Sequence, residues 1–197
     1  MGREELEELR EGAFKRKTKR KIGLFIDGIG LDRATRRLER KIEMSKLISG
    51  LVSGGNIDIA RYYTLVPHED DARQFSFLDA IQRAGLDVMS KRLPPKGVKR
   101  QVSLDVHIAS DLISFACGKT HIISNKRNAE EPAAEDNIKK IAIVVCPTRE
   151  MNYAIYIANK LGVETTMADF GLYGQTDGWK GVDKWVDLST SETIWRE

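Results

Sequence analysis

Between residues 20 and 190 the hydrophobic and polar positions switch repeatedly between two rhythms. Residues 22–27 (IGLFID) form an unbroken apolar run that stops at a carboxylate and meets Gly28-Ile29-Gly30, the pattern of a buried strand entering a turn. From 31 to 52, Leu31, Ala34, Leu38 and Ile42, and less regularly Leu47 and Leu51, recur with arginine and lysine between them. That spacing predicts one amphipathic helix, ended by Gly54-Gly55. Residues 57–66 are rich in β-branched and aromatic types and predict a second strand, 70–84 has helical spacing through Phe75, Leu78 and Ile81, and 86–93 predicts a third strand stopped by Pro94-Pro95. The alternation continues with a helix over 102–117, an apolar strand over 141–146 (IAIVVC), a helix over 151–161, a strand over 163–170 and a short strand over 184–188. Strands alternating with helices predict an α/β fold, a mainly parallel central sheet covered by helices in three α/β/α layers.

Three stretches break the pattern. Residues 118–140 are polar with little periodicity and are expected to be a surface insertion, residues 1–20 form a charged arm, and 191–197 are expected to be a tail, leaving 21–190 as one domain. With 41% hydrophobic and 31% charged residues in 197, the chain can bury a core, so fibrous and largely disordered readings fall away. No apolar run nears the roughly 20 residues that span a bilayer, and the opening MGREELEELR is too charged for a secretory signal. Two cysteines, Cys117 and Cys146, are too few for a disulfide framework or a four-thiolate zinc site. A cytoplasmic location without a membrane partner is the expectation. The net charge of +3 is mild, but it is unevenly spread: residues 1–11 carry five glutamates and 15–21 (KRKTKRK) six cations. Such an arm attracts phosphate backbones without reading sequence, or simply solvates a leader segment.

In open α/β sheets ligands gather at the carboxyl ends of the strands. Asp27 ends the first strand, Asp105 lies near the helix start after the third, and Glu150 follows the strand IAIVVC. Three carboxylates meeting at one edge repel each other unless a cation neutralises them, and all-oxygen donors suit Mg²⁺ or Mn²⁺. The alternative is that Asp27 only forms a turn and that Asp105 and Glu150 only favour helix starts. Five cations, Lys91, Arg92, Lys96, Lys99 and Arg100, precede Asp105 and are candidates for holding a nucleic-acid backbone. Tyr62, Tyr63, Phe75 and Phe77 offer stacking faces, although strand and helix cores account for them as well.

Several of these segments also resemble a known family. Residues 21–31 (KIGLFIDGIGL), Lys96-Gly97-Val98, 104–112 (LDVHIASDL), the strand 141–145, Gly162-Val163-Glu164 and 182–188 (VDKWVDL) together resemble, in order, the motifs of NYN domains, the LabA-like branch of the PIN-like nuclease superfamily. The resemblance spans roughly residues 21–190. It implies a PIN-like fold and a Mg²⁺- or Mn²⁺-dependent nuclease, most often an endoribonuclease with RNA as partner; a homo-oligomer is left open. It also implies that Asp27 and Asp105 are metal ligands. Asp111 matches a family aspartate too, but on an ideal helix it lies about 9 Å along and about 120° around from Asp105, so an outer-shell or structural role is expected.

Departures from the family pattern are equally specific. Gly30 stands where the family has Asn, and Cys146-Pro147-Thr148-Arg149-Glu150-Met151 replaces Ser-Gly-Asp-x-Asp-Phe. Thr148 thus takes one acidic position and is assigned to the outer shell, while Glu150 keeps its charge on a side chain longer by about 1.5 Å. A degenerate RNA-binding or assembly module is therefore the alternative to an enzyme. Other signals fail: the third glycine of a dinucleotide fingerprint would fall at Arg33, Cys146 reads as a buried thiol, and His68, His107 and His121 show no zinc-ligand spacing. His107, four residues before Asp111, is placed to pair with it on one helix face.

Overall fold

In a computed structural model the chain is described over residues 19–52, 56–69, 71–123, 138–171 and 179–196. Most of the N-terminal arm, Gly54-Gly55, Asp70 and the greater part of the insertion lie outside these residues. The elements run β1 (Arg20–Asp27), α1 (Gly28–Arg37), α2 (Met44–Leu51), β2 (Asn56–Val66), α3 (Ala72–Arg83), β3 (Asp87–Arg92), α4 (Asp105–Ala116), α5 (Thr120–Ile123), β4 (Lys139–Val145), α6 (Asn152–Lys160), β5 (Glu164–Asp169) and β6 (Lys184–Asp187). Short 3₁₀ turns, Arg149–Met151 and Leu188–Thr190, precede α6 and follow β6.

All strand pairs are parallel, and the sheet order is β3-β2-β1-β4-β5-β6. Strand β1 explains why its sequence is continuously apolar: it is central, so both of its faces are covered. Ile22, Leu24 and Ile26 join one core with Leu31 and Ala34 of α1, Leu47 of α2 and Ile81 of α3. Phe25 faces the other way, among Ile108, Leu112 and Phe115 of α4 and Ile155 and Ala158 of α6. The result is the expected three-layer α/β/α architecture. Because β1 has β2 on one side and β4 on the other, the strand order reverses there, and the carboxyl ends of β1 and β4 form the switch point at which the crevice of such a sheet lies.

Three expectations need correction. The helix expected over 31–52 is two helices, broken over 38–43. The N–H groups of Glu39 and Arg40 bond back to the carbonyls of Arg36 and Thr35, with Glu39 at φ +53°, which is the Schellman way of closing a helix. The connector then pairs with the C-terminal segment: Ile42 bridges Trp195 antiparallel, Glu43 N–H bonds to the Ile194 carbonyl at 2.9 Å and Arg196 N–H to the Lys41 carbonyl at 2.8 Å. Residues 191–196 are accordingly not a loose tail, since Ile194 and Trp195 are buried in the same core as β1. Helix α4 also starts at Asp105 rather than at 102, because Ser103 terminates the preceding extended stretch by accepting the Asp105 N–H at 3.0 Å.

Candidate active site

Asp27 is the last residue of β1 and the N-cap of α1. Its Oδ1 accepts from the Ile29 and Gly30 N–H groups at 3.0 and 3.2 Å, which fixes the carboxylate at the crevice. Both neighbouring glycines are required by close approach. A Cβ on Gly28 would lie 2.3 Å from the ring of Tyr62, and one on Gly30 would lie 2.3 Å from the carbonyl oxygen of Cys146. The substitution of Gly for the family's Asn is thus matched by a chain path after β4 that brings the Cys146 carbonyl against α1. Cys146 itself sits at φ +50°, a conformation that costs a residue with a Cβ about 1–2 kcal/mol. Its N–H is anchored to the Ala168 carbonyl at 2.8 Å, and its thiol is hydrogen-bonded to Asp169 at the end of β5. Burial, with added repulsion from Asp169 and Asp27, pushes this thiol well above its usual range, so it stays protonated and is no nucleophile at neutral pH.

Asp105 faces Asp27 from the start of α4. Thr148 donates to Asp105 Oδ1 at 2.8 Å and Ser103 to Oδ2, so hydroxyls from two different elements orient this carboxylate. Asp27 is only 3% exposed, and burial pushes its carboxyl up to about 6; the charge of Asp105 adds to the rise, and the two backbone N–H groups oppose it. Two acids from distant parts of the chain therefore share one electrostatic site at the switch point of the sheet. Asp169, raised by burial and by Asp187, ends the adjacent β5.

The remaining expected site residues are placed as follows. Glu150 is exposed on the 3₁₀ turn before α6. Thr148 lies in the crevice through its bond to Asp105. Asp111 is buried away from it, accepting from Arg61 Nη1 at 2.6 Å and from the Tyr63 hydroxyl at 2.7 Å, which makes it a structural anchor of α4 on β2; its partners are these two and not His107. Lys96, Lys99 and Arg100 are exposed on the loop leading to α4. Lys91 bonds the Ser103 carbonyl at 3.2 Å and so braces that loop, whereas Arg92 bonds the His68 carbonyl at 2.9 Å, on the connection between β2 and α3. Lys19, Arg20 and Lys21 stand at the opposite end of β1, about 20 Å from Asp27 along the strand. Ser103 and Asp169 do not stand out from sequence alone. The Ser-x-Asp spacing before α4 is the signal for the first, and the strand-end rule that picks Asp27 applies equally to the second.

Whether a divalent ion fits is decided by these donors. Among the described residues no three His, Cys, Asp or Glu side chains gather in ion-holding geometry. A pair of carboxylates whose joint ionisation is costly still suits a hydrated Mg²⁺, which is commonly held by one or two carboxylates with water and phosphate oxygens completing its shell. The residues fit such an ion, held by Asp27 and Asp105, and not a full protein cage. No helix among the described residues is long and apolar enough to cross a membrane.

Known proteins resemble the chain in family and in fold. The family model described as NYN domain matches residues 21–124, which contain Asp27 and Asp105. The chain is similar in fold to the crystal structure of a protein of unknown function from Vibrio parahaemolyticus, at a TM-score of 0.70 and 13% identity, covering 93% of this chain and 100% of that one. No curated protein matches the chain significantly.

Proposed function

The chain belongs to the NYN domain family, a nuclease-type family, and from that membership we propose that it is a cytoplasmic, metal-dependent endoribonuclease. The observation that carries the proposal is the convergence of Asp27 and Asp105 at the carboxyl edge between β1 and β4, with Asp27 held in a state that a bound cation would relieve. Asp27 and Asp105 would hold Mg²⁺ or Mn²⁺, and the ion, when bound, supplies Lewis-acid polarisation of the phosphoryl group. The protein's own part is positional. The N–H groups of α1 fix Asp27, while Thr148 and Ser103 fix Asp105, so the pair is preorganised rather than assembled on binding. Lys96, Lys99 and Arg100 supply cations for the RNA backbone on the loop that ends at Asp105. In the hydrolysis a water oxygen forms a new P–O bond, the bond to the leaving ribose oxygen breaks, and one proton passes to that oxygen. Purified protein should cleave RNA with Mn²⁺ or Mg²⁺ and stop with EDTA or on Asp27→Asn; RNA left intact with both metals would refute the assignment.

A second reading, a binding module that no longer cleaves, draws on a specific observation: Thr148 occupies the family's acidic position with its hydroxyl committed to Asp105, and Glu150 carries its charge on an exposed turn. Calorimetric titration with Mn²⁺ separates the two. Tight binding that Asp27→Asn removes favours the enzyme, a further loss on Glu150→Gln marking Glu150 as a third ligand, whereas no native binding and a gain on Thr148→Asp favours the module.

A further inference from the structure

A groove lies on the α1 face of the sheet, outside the acidic crevice. Its cavity of 570 Å³ has an apolar floor that includes Leu31, Ile42, Met44, Tyr62 and Phe77. The lip is cationic, made by Arg36, Arg40, Lys41 and Arg196. The last three come together because the chain breaks between α1 and α2 and the connector pairs with the C-terminal segment. A second cavity of 670 Å³ shares Arg40 and Arg196 with the first and continues past them to Lys46, Ser49 and Thr193. Arg40 and Arg196 thus form a ridge between two hollows. The ridge is held from beneath: the Arg40 guanidinium stacks on the buried Trp195 ring, 4.1 Å from its centroid. Acids line the same hollows, namely Asp32, Glu39 and Glu192; Asp32 and Arg36 cancel as a pair at 2.9 Å and Glu43 stands 3.6 Å from Arg196, yet Arg40, Lys41, Lys46 and Arg196 still outnumber the remaining acids.

The inner end of the groove is Tyr62, a buried residue that approaches the candidate active site without opening into it. The Tyr62 ring packs against Gly28, the residue after Asp27, and Phe77 stands against Tyr62 edge-to-face with ring centroids 6.0 Å apart. Phe77 is 44% exposed, so part of its ring is offered to the groove. Arg36 lies nine residues from Asp27 along α1, about 13 Å down its axis, a span of a few nucleotides. An aromatic face beside a guanidinium ridge is the chemistry that binds single-stranded nucleic acid, with bases stacked and phosphates paired.

We infer that this groove is the binding track for single-stranded RNA next to the cleavage site, with a base stacked on Phe77 and the following phosphates carried over the Arg40–Arg196 ridge. The inference rests on the ribonuclease reading for its ligand, and it adds a specificity: a strand that must bend along α1 cannot be a rigid duplex, so structured RNA would be disfavoured.

The test measures binding of a fluorescent oligouridine of about 12 nucleotides, a length within the range that one single-strand module covers, by anisotropy in EDTA. Binding is thereby separated from cleavage. Phe77→Ala, an exposed position, should raise Kd about 5-fold or more. Arg40→Gln with Arg196→Gln should raise it about 10-fold at moderate salt and flatten the slope of log K against log salt by about 1.4, the value for two phosphate contacts on a single strand. Arg83→Gln with Lys160→Gln, an equal loss of charge elsewhere on the surface, should leave Kd and slope unchanged, and melting curves check that each variant is folded. Loss of binding in the groove variants alone supports the track even if no Asp27-dependent cleavage is found, an outcome that would overturn only the enzyme reading. Groove variants that bind and cleave like the native chain overturn the track and leave the enzyme reading standing. Native protein that binds no RNA, or that binds polyglutamate peptide as tightly and with the same sensitivity to Phe77→Ala, overturns the inference.

Discussion

Replacing Asp27 with Asn tests the electrostatics of the site without any knowledge of its substrate. Asn keeps the side-chain oxygen that accepts from Ile29 and Gly30, so the helix cap survives, and it mimics the protonated acid. In the folded protein the Asp27 carboxyl is pushed up to about 6 from an ordinary value of 3.8. The sign follows from linkage. Below pH 3.8 the group is protonated in both folded and unfolded chains, and its full stabilisation is present. As pH rises toward 6 the unfolded chain ionises first, so stability is lost, and above 6 the loss is constant. At 1.36 kcal/mol per unit the shift amounts to about 3 kcal/mol. Because Asp27 is almost fully buried, solvent screening takes little from that figure.

Asp27→Asn should therefore match the native protein near pH 3.5 and exceed it by about 2–3 kcal/mol at pH 8, a rise in Tm of about 5–10 °C for a chain of this size. Metal-free protein in EDTA, melted in the calorimeter at half-unit steps of pH, gives the comparison directly. Mn²⁺ added at pH 7 should then raise the native Tm and leave that of the variant unmoved, since the cation relieves the charge that Asn lacks. A variant equal to or less stable than the native chain at pH 8 would show that Asp27 is not penalised by burial, and the argument for a cation would lose its basis.

Three further outcomes are expected. Asp111→Ala should destabilise by about 3–5 kcal/mol in denaturant unfolding, because it strands the buried Arg61 guanidinium, and Asp111→Leu combined with Arg61→Met should recover most of the loss. Gly30→Ala drives a Cβ into the Cys146 carbonyl, both parts being backbone, so it should cost about 1–3 kcal/mol by the same measurement and lower Mn²⁺ affinity by displacing the Asp27 cap. Replacing Lys96, Lys99 and Arg100 with Gln should weaken RNA binding and reduce its salt slope by about 0.7 for each phosphate that is no longer neutralised; an unchanged slope would mean that the loop does not meet the backbone.

How much of this is legible in the sequence depends on where the determining interaction lies. The strands are readable because a central parallel strand buries both faces and needs an apolar run, as 22–26 and 141–145 show. Helix ends are readable where a glycine marks them: α3, α4 and α6 close with Gly85, Gly118 and Gly162 in the left-handed conformation, each in the same pattern of backward hydrogen bonds. Helix α1 closes in that pattern with Glu39 in the left-handed position, so the stop carries no local signal and the apolar spacing runs on to Ile42 as though the helix continued. What fixes the break is Trp195, far away in sequence, pairing with Ile42 and covering the same core. The C-terminal residues read as a tail for the same reason, because the two apolar residues Ile194 and Trp195 are flanked by polar and charged ones and their partner is remote.

The site divides along the same line. Asp27 is legible because the strand-end rule depends only on the sheet being parallel, and Asp105 because it opens the helix that follows β3. The consequence of Thr148 is not. From sequence its presence subtracts a charge, whereas in the fold it also adds a hydroxyl that holds Asp105 in place, and the two effects act oppositely on catalysis. Gly30, Cys146 and Thr148 are then a single departure and not three: with no side chain at 30, the chain after β4 can press its Cys146 carbonyl against α1, and the strained φ at Cys146 sends Pro147 and Thr148 across toward Asp105. A decayed site would be expected to lose its acids independently and to relax such strain, since backbone held in a costly conformation persists only where its surroundings enforce it. Here the strain is retained, the two facing acids are retained, and the hydroxyl that replaces the third is bonded to one of them. That combination favours a site adjusted to fewer charges over one abandoned, and it makes the Mn²⁺ titration of the native chain the measurement on which the enzyme reading stands or falls.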